Sequence, residues 1–153
     1  MAKIGIFVGT VYGGAEDVAL WAQDQLQQAG HQAECFIDES TLGSFLTYQN
    51  DVVLVVTSTT GQGEIPETLL PLFVHLREAF PLLPNLSYGV IALGDASYGE
   101  ERFCGGGRQF EALLQELQAK ELIPRLDVDA CIHFDPLVVA EPWLAKWQQQ
   151  LLK

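Results

Sequence analysis

Basic side chains are scarce in this chain. There are 8 Lys and Arg against 20 Asp and Glu, a formal net charge of −12, and residues 1 to 76 carry one cation, Lys3, against nine acids. That sign is wrong for wrapping a phosphodiester backbone, so nucleic acid is excluded as a partner class. An acidic surface instead suits solubility and the steering of a basic protein partner. Cysteine is equally sparse: Cys35, Cys104 and Cys131 are odd in number, far apart and in no C-x-x-C or C-x-x-H spacing. Neither a disulfide framework nor a zinc site is indicated, no metal is expected, and a reducing cytosol fits. No apolar run reaches the about 18 residues a membrane span needs, and the start of the chain lacks signal-peptide layout. A soluble, cytoplasmic chain with no membrane partner is expected. Internal repeats, linkers and low-complexity runs are absent too, so 153 residues at 48% hydrophobic composition make one domain, residues 1–153.

What is present alternates. Short runs rich in Val, Ile, Phe or Leu at Ile4–Val8, Ala33–Ile37, Val52–Thr57 and Tyr88–Leu93 read as buried strands. Between them the period changes. Ala15, Val18, Ala19, Ala22, Leu26 and Ala29 form one helical stripe stopped by Gly30, Phe110 to Leu117 form another, and Trp143 to Leu151 a last one, with Pro142 in its first turn. The stretch Pro66–Phe80 has helical spacing, but Pro71 places the regular part from about that residue onward. A fifth strand over Leu122–Val128 contains Pro124, which confines it to a sheet edge. Strand alternating with helix five times predicts an α/β fold: a doubly wound, open, five-stranded parallel sheet with helices on both faces. In such sheets ligands sit beyond the carboxyl ends of the strands, which directs attention to three loops.

The first loop, Gly9-Thr10-Val11-Tyr12-Gly13-Gly14-Ala15-Glu16, joins a strand to a helix, so its N–H groups offer an anion site at a helix N-terminus. Its glycines fit neither the Walker A spacing nor the dinucleotide fingerprint. With no Lys or Arg in it, a phosphate there is held by amides and the Thr10 hydroxyl. The second loop, Thr57-Ser58-Thr59-Thr60-Gly61-Gln62-Gly63, piles four hydroxyls and two glycines behind a buried strand, more than a plain connection needs. Gly61 allows a peptide plane there to change orientation at small steric cost. The third loop, Leu93-Gly94-Asp95 through Tyr98 to Phe103-Cys104-Gly105, carries an aromatic suited to stacking on a planar ligand or to anchoring the loop. Cys104 and Arg108 stand in C-x3-R spacing rather than the C-x5-R spacing of a phosphatase, and all three cysteines read as structural.

Together these loops resemble those of the flavodoxins, small electron-transfer proteins that hold flavin mononucleotide (FMN), and the likeness runs from Lys3 to the final helix. Gly94-Asp95-Ala96-Ser97-Tyr98 followed by Phe103-Cys104-Gly105 is similar to the family's isoalloxazine loop, and Ser58-Thr59-Thr60-Gly61 to its second flavin loop. With no insertion inside the last strand, the chain resembles the short-chain type, nearest the small bacterial MioC-type proteins. The resemblance implies that Thr10, Val11, Tyr12, Gly13, Gly14 and Ala15 hold the phosphate. Ser58, Thr59, Thr60, Gly61, Gln62 and Gly63 would take one face of the ring, and Leu93, Gly94, Asp95, Tyr98, Phe103 and Cys104 the other, with Tyr98 the outer stacking aromatic. The Gly61–Gln62 peptide would turn toward the flavin N5 on one-electron reduction. Tyr12 and Gly14 replace hydroxyl-bearing residues usual in the family, and Thr60 stands where many members place a tryptophan.

The function implied is that of an electron-transfer protein rather than an enzyme. FMN would accept low-potential electrons from a basic-faced flavodoxin reductase and pass them singly to acceptor redox enzymes. A carrier that meets two partners in turn is expected to be a monomer. A phospho-acceptor receiver of the same architecture needs acids where Gly9-Thr10 and Thr57-Ser58 stand. A flavin-free binding module is the other alternative, separated by the colour of the purified protein.

Overall fold

Period-two alternation decides how the core divides. In the computed structural model, which describes residues 1–151, strand β1 (Lys3–Gly9) sends Ile4, Ile6 and Val8 to one face and Phe7 to the other. Strand β3 (Val52–Thr57) likewise splits Leu54 and Val56 from Val53 and Val55. Each face therefore has its own apolar layer, and each needs helices to cover it. Helices α1 (Gly14–Gln28) and α5 (Leu137–Leu151) cover the Ile4/Ile6/Val8 face through Ala15, Val18, Ala22 and Leu26, and through Trp143, Leu144 and Trp147. Helices α2 (Leu42–Leu46), α3 (Leu70–Ala79) and α4 (Gly105–Glu116) cover the other, packing Phe45, Leu72, Phe73, Leu76, Phe110 and Leu114 against it.

The remaining strands are β2 (Gln32–Phe36), β4 (Ser87–Gly94), β5 (Lys120–Glu121) and β6 (Leu126–Asp129). All pairings are parallel in the order β2-β1-β3-β4-β5, and β6 also pairs with β4. β5 and β6 together fill the fifth position, so the architecture is the five-stranded parallel α/β sheet expected. Its last strand is corrected. Leu122–Val128 is not one strand, because residues 122–125, with Pro124 among them, leave the ladder between the two pieces. The strand resumes under an ionic clamp: Arg125 is paired with Glu111 of α4 at 2.6 Å and with Asp127 at 2.7 Å, and Tyr88 Oη donates to the same Glu111 at 3.2 Å.

Three helical expectations shift as well. The last helix begins at Leu137, where Asp135 accepts from the Leu137 N–H at 3.0 Å behind Pro136. Pro142 therefore lies inside the helix, not in its first turn. The carbonyl it cannot bond belongs to Val138, an exposed residue. α4 starts at Gly105, earlier than the apolar stripe from Phe110 suggests, and α2 was not foreseen. The regular part of the Pro66–Phe80 stretch does begin at Leu70, with Pro71 in the first turn. Among the described residues no helix is long and apolar enough to cross a membrane.

Candidate functional site

At their carboxyl ends β1 and β3 lie side by side, but β1 leads to α1 on one face and β3 to α3 on the other. The diverging connections leave a cleft of about 510 Å³ above the sheet. All three loops reach it. Val11, Tyr12, Gly14 and Ala15 come from the first, Ser58, Thr59, Thr60 and Gly61 from the second, and Leu93, Gly94, Asp95 and Tyr98 from the third.

The first loop is built to leave its amides free. Gly13, at φ 90°, is the N-cap of α1 and supplies no side-chain cap. Thr10 Oγ1 accepts from the Gly13 N–H at 2.9 Å, and the Thr10 N–H donates to Thr68 Oγ1 at 3.0 Å. The N–H groups of Val11, Tyr12, Gly14, Ala15 and Glu16 have no acceptor among the described residues. A helix N-terminus with unspent donors and no cation is a neutral anion cradle. Thr10 and Gly13 stand outside the cleft lining and brace it from behind.

The hydroxyls of the second loop turn out to be structural. Thr57 Oγ1 donates to the Ser58 carbonyl at 2.9 Å and Ser58 Oγ to the Gly9 carbonyl at 3.2 Å, tying the second loop to the first. Thr59 Oγ1 donates to the Leu93 carbonyl at 3.0 Å and accepts from the Gly106 N–H at 3.1 Å, tying it to the third. Thr60 Oγ1 accepts from the Glu64 N–H at 3.1 Å. Gly61 reaches the cleft at its tip, and a Cβ placed there would stand 3.9 Å from the Tyr98 ring. Gln62 and Gly63 are not on the lining. The left-handed glycine of this loop is Gly63, at φ 79°, rather than Gly61.

Side chains, not amides, define the third loop. Asp95 Oδ1 accepts from the Ser97 N–H at 2.8 Å, Ser97 Oγ at 2.6 Å and the Cys131 thiol at 2.8 Å, and these donors, led by Cys131, hold its carboxyl below the usual range. The same contact pushes the Cys131 thiol up. Asp129 Oδ1 accepts from the N–H groups of Ala96 and Cys131. The 129–131 segment is thus stitched to the base of the loop, and half-exposed Tyr98, at 55%, stands above it. Phe103 and Cys104 do not line the cleft. Phe103 packs on the core under the Arg108 guanidinium. Cys104 is fully buried, its thiol pushed up to about 12 by burial first and Asp127 second, which makes it a structural residue.

Two features escaped the sequence. The run Gly105-Gly106 lets α4 press its first turn onto the second loop, since a Cβ at Gly106 would stand 2.6 Å from the Ser58 carbonyl and one at Gly105 would meet the Gly63 carbonyl. Arg102 also lines the cleft, the one cation to do so among the described residues. Its signal was a lone basic residue in a glycine-punctuated loop.

Comparison with known proteins agrees with this geometry. The family model described as Flavodoxin matches residues 6–135. Flavodoxin YqcA of Pectobacterium carotovorum subsp. carotovorum is 53% identical over 96% of this chain and 95% of its own. A solved structure, a cysteine-to-serine mutant of flavodoxin from Pseudomonas aeruginosa, superimposes with a TM-score of 0.91 at 42% identity, covering 99% of both chains. Protein MioC of Escherichia coli O157:H7 is 34% identical over 96% of this chain and 97% of its own. Of these relatives YqcA is more similar to the chain than MioC is, and nearness to MioC-type proteins in particular is not shown.

Proposed function

The chain belongs to the flavodoxin family, and from that premise we propose that it is a one-electron carrier holding FMN in the cleft, taking low-potential electrons from a reductase and handing them to acceptor enzymes. The observation that carries this reading is the meeting, in one cleft, of a helix N-terminus with free amides and the half-exposed Tyr98 ring. The first fits a terminal phosphate dianion and the second the face of a planar ring. The binding rule for open α/β sheets supports the placement, although flavodoxins are themselves among the cases it was drawn from. FMN, when bound, supplies the electron chemistry. The chain's part is to hold and shield it. Val11, Tyr12, Gly14 and Ala15 would bind the phosphate with Thr10 and Gly13 bracing their loop, residues 58–61 and Leu93–Asp95 would orient the ring, and Tyr98 would cover its outer face and exclude water.

The partners proposed are proteins with basic docking faces, met in the cytoplasm by a monomer. Exposed Tyr12, Ile132 and Phe134 supply apolar contact area on loops at the carboxyl end of the sheet, within a chain of net charge −12. Charge of that size steers encounter over a Debye length of about 30 Å at 0.01 M salt and about 10 Å at 0.1 M. Electron transfer to a partner should therefore slow as salt is added; a salt-independent rate would return the charge to solubility alone. The flavin reading is tested by calorimetry of the apoprotein with FMN and with flavin adenine dinucleotide. FMN should bind at one per chain and more tightly, because the first loop closes on a terminal phosphate. Equal affinity, or none for either, would end the reading.

A further inference from the structure

One charged side chain in the cleft takes no part in building it. Arg102 is fixed by its backbone, its N–H donating to the Gly99 carbonyl at 3.1 Å and its carbonyl accepting from the Gly105 N–H at 3.0 Å. Its stem is packed on the second loop: a Cβ at Gly63 would stand 3.1 to 3.3 Å from Arg102 Cα, Cβ and Cγ. The other three arginines all have employment. Arg125 is paired with Glu111 and Asp127, Arg108 donates to the Glu100 carbonyl and lies over Phe103, and Arg77 lies over Phe73. The Arg102 guanidinium has no ion pair, hydrogen bond or ring contact among the described residues, and it is exposed.

Its surroundings say which end of the cleft it serves. Arg102 packs on Gly63 and shares a recess with Tyr98, Gly99, Glu100 and Glu101, placing it beside the Tyr98 ring and the second loop. The free amides of Val11, Tyr12, Gly14, Ala15 and Glu16 belong to another loop, which offers an anion its donors without a cation. Among the acids nearby, Glu100 and Glu101 line the adjoining recess and not the cleft. Asp95 does line the cleft, with one oxygen committed to Ser97 and Cys131. An arginine stays charged at every working pH, so it adds a constant positive potential on the ring side.

We propose that Arg102 tunes the charge of the cleft, offsetting the negative charge left on a flavin ring that has taken up two electrons and only one proton, and so easing arrival of the second electron. The inference rests on the flavin reading above. Because the guanidinium is exposed, solvent screens it, and the effect expected is modest.

The test compares FMN-loaded wild-type protein with Arg102→Gln and Arg102→Lys. The midpoint of each one-electron step is followed spectroelectrochemically, and binding of FMN and riboflavin by fluorescence. In Arg102→Gln the second step should become about tenfold less favourable, a fall of about 59 mV for a one-electron couple, with a smaller change in the first. Arg102→Lys should stay near wild type, and the ratio of FMN to riboflavin affinity should be the same in all three. An unchanged second step in Arg102→Gln overturns the inference. So does a loss of FMN affinity with riboflavin affinity kept, which would make Arg102 a phosphate ligand. Both leave the flavin reading standing; failure of wild-type protein to bind either flavin overturns that reading and the inference together.

Discussion

The first and third loops meet the same cleft with opposite means. Residues 10–15 present backbone: free N–H groups, a left-handed glycine cap and no charged side chain until Glu16. Residues 93–104 present side chains, Asp95, Tyr98 and Arg102, held by a hydrogen-bond network that reaches across to Asp129 and Cys131. The backbone end depends on little beyond a strand turning into a helix, and several side chains at 11, 12 and 14 would serve it. The side-chain end depends on identities. The contrast teaches that affinity for a phosphate should come from the fold, while ring stacking and potential should come from this chain's own residues.

The sharpest way to break that division is to remove the phosphate from the ligand instead of changing the protein. If two charge-assisted hydrogen bonds at about 1.5 to 3 kcal/mol each come from the first loop, riboflavin should bind roughly 10²- to 10⁴-fold more weakly than FMN. Equal affinities in a fluorescence titration would mean that the amide cradle holds nothing. At the other end, Tyr98→Ala should cost about 1 to 3 kcal/mol of binding, the range for stacking of planar bases on aromatics, and should cost FMN and riboflavin alike. A loss confined to FMN would place Tyr98 at the wrong end of the cleft, and no loss would leave it a loop anchor.

Legibility in the sequence followed the same division. Strands β1, β3 and β4 announce themselves through Val-, Ile- and Leu-rich runs, β2 through the sparser Ala33–Ile37 run, and the first loop through glycines between a strand and a helix, because backbone features leave compositional traces. The fifth strand was misjudged because Pro124 marks a break inside it and not its edge character alone. Pro142 suggests the first turn of a helix, although Asp135-Pro136 carries the stronger signal, a capping carboxylate followed by a proline. α2 spans only Leu42–Leu46, too short for a periodic stripe, and its Thr41 cap was the sole clue. In the second loop the surplus of hydroxyls was visible but its use was not. Thr57, Ser58, Thr59 and Thr60 bond to backbone groups at sequence separations of up to 49, and a linear sequence does not show those partners.

Smaller effects sharpen the comparison within the side-chain end. Gly61→Ala should leave the fold intact, since its Cβ has room at 3.9 Å from Tyr98 and no positive φ to oppose it. If the 61–62 peptide turns on the first one-electron reduction into a left-handed conformation, that state alone loses about 1 to 2 kcal/mol. The potential of the first step should then fall with thermal stability unchanged. An unaltered first step would remove the peptide turn from the account.

Smallest of all is the effect of Cys131→Ala, which deletes the leading donor to Asp95. The Asp95 carboxyl should titrate higher, nearer an ordinary aspartate, by NMR. Because its folded pKa is depressed, the stabilisation it gives is complete above the ordinary carboxylate range and is lost as pH falls through the depressed value. The variant, with less depression to lose, should therefore shed less stability than the wild type as pH falls through the carboxylate range. Identical Asp95 titrations would show that Ser97 alone sets it.

If the three loops hold FMN and pass electrons one at a time, an anaerobic reductive titration of the FMN-loaded protein, followed in the visible spectrum, should resolve its reduction into one-electron stages. Two separated one-electron steps are predicted, with distinct spectra before and after the first. A single two-electron step, or flavin that stays free in solution throughout, would contradict the carrier reading.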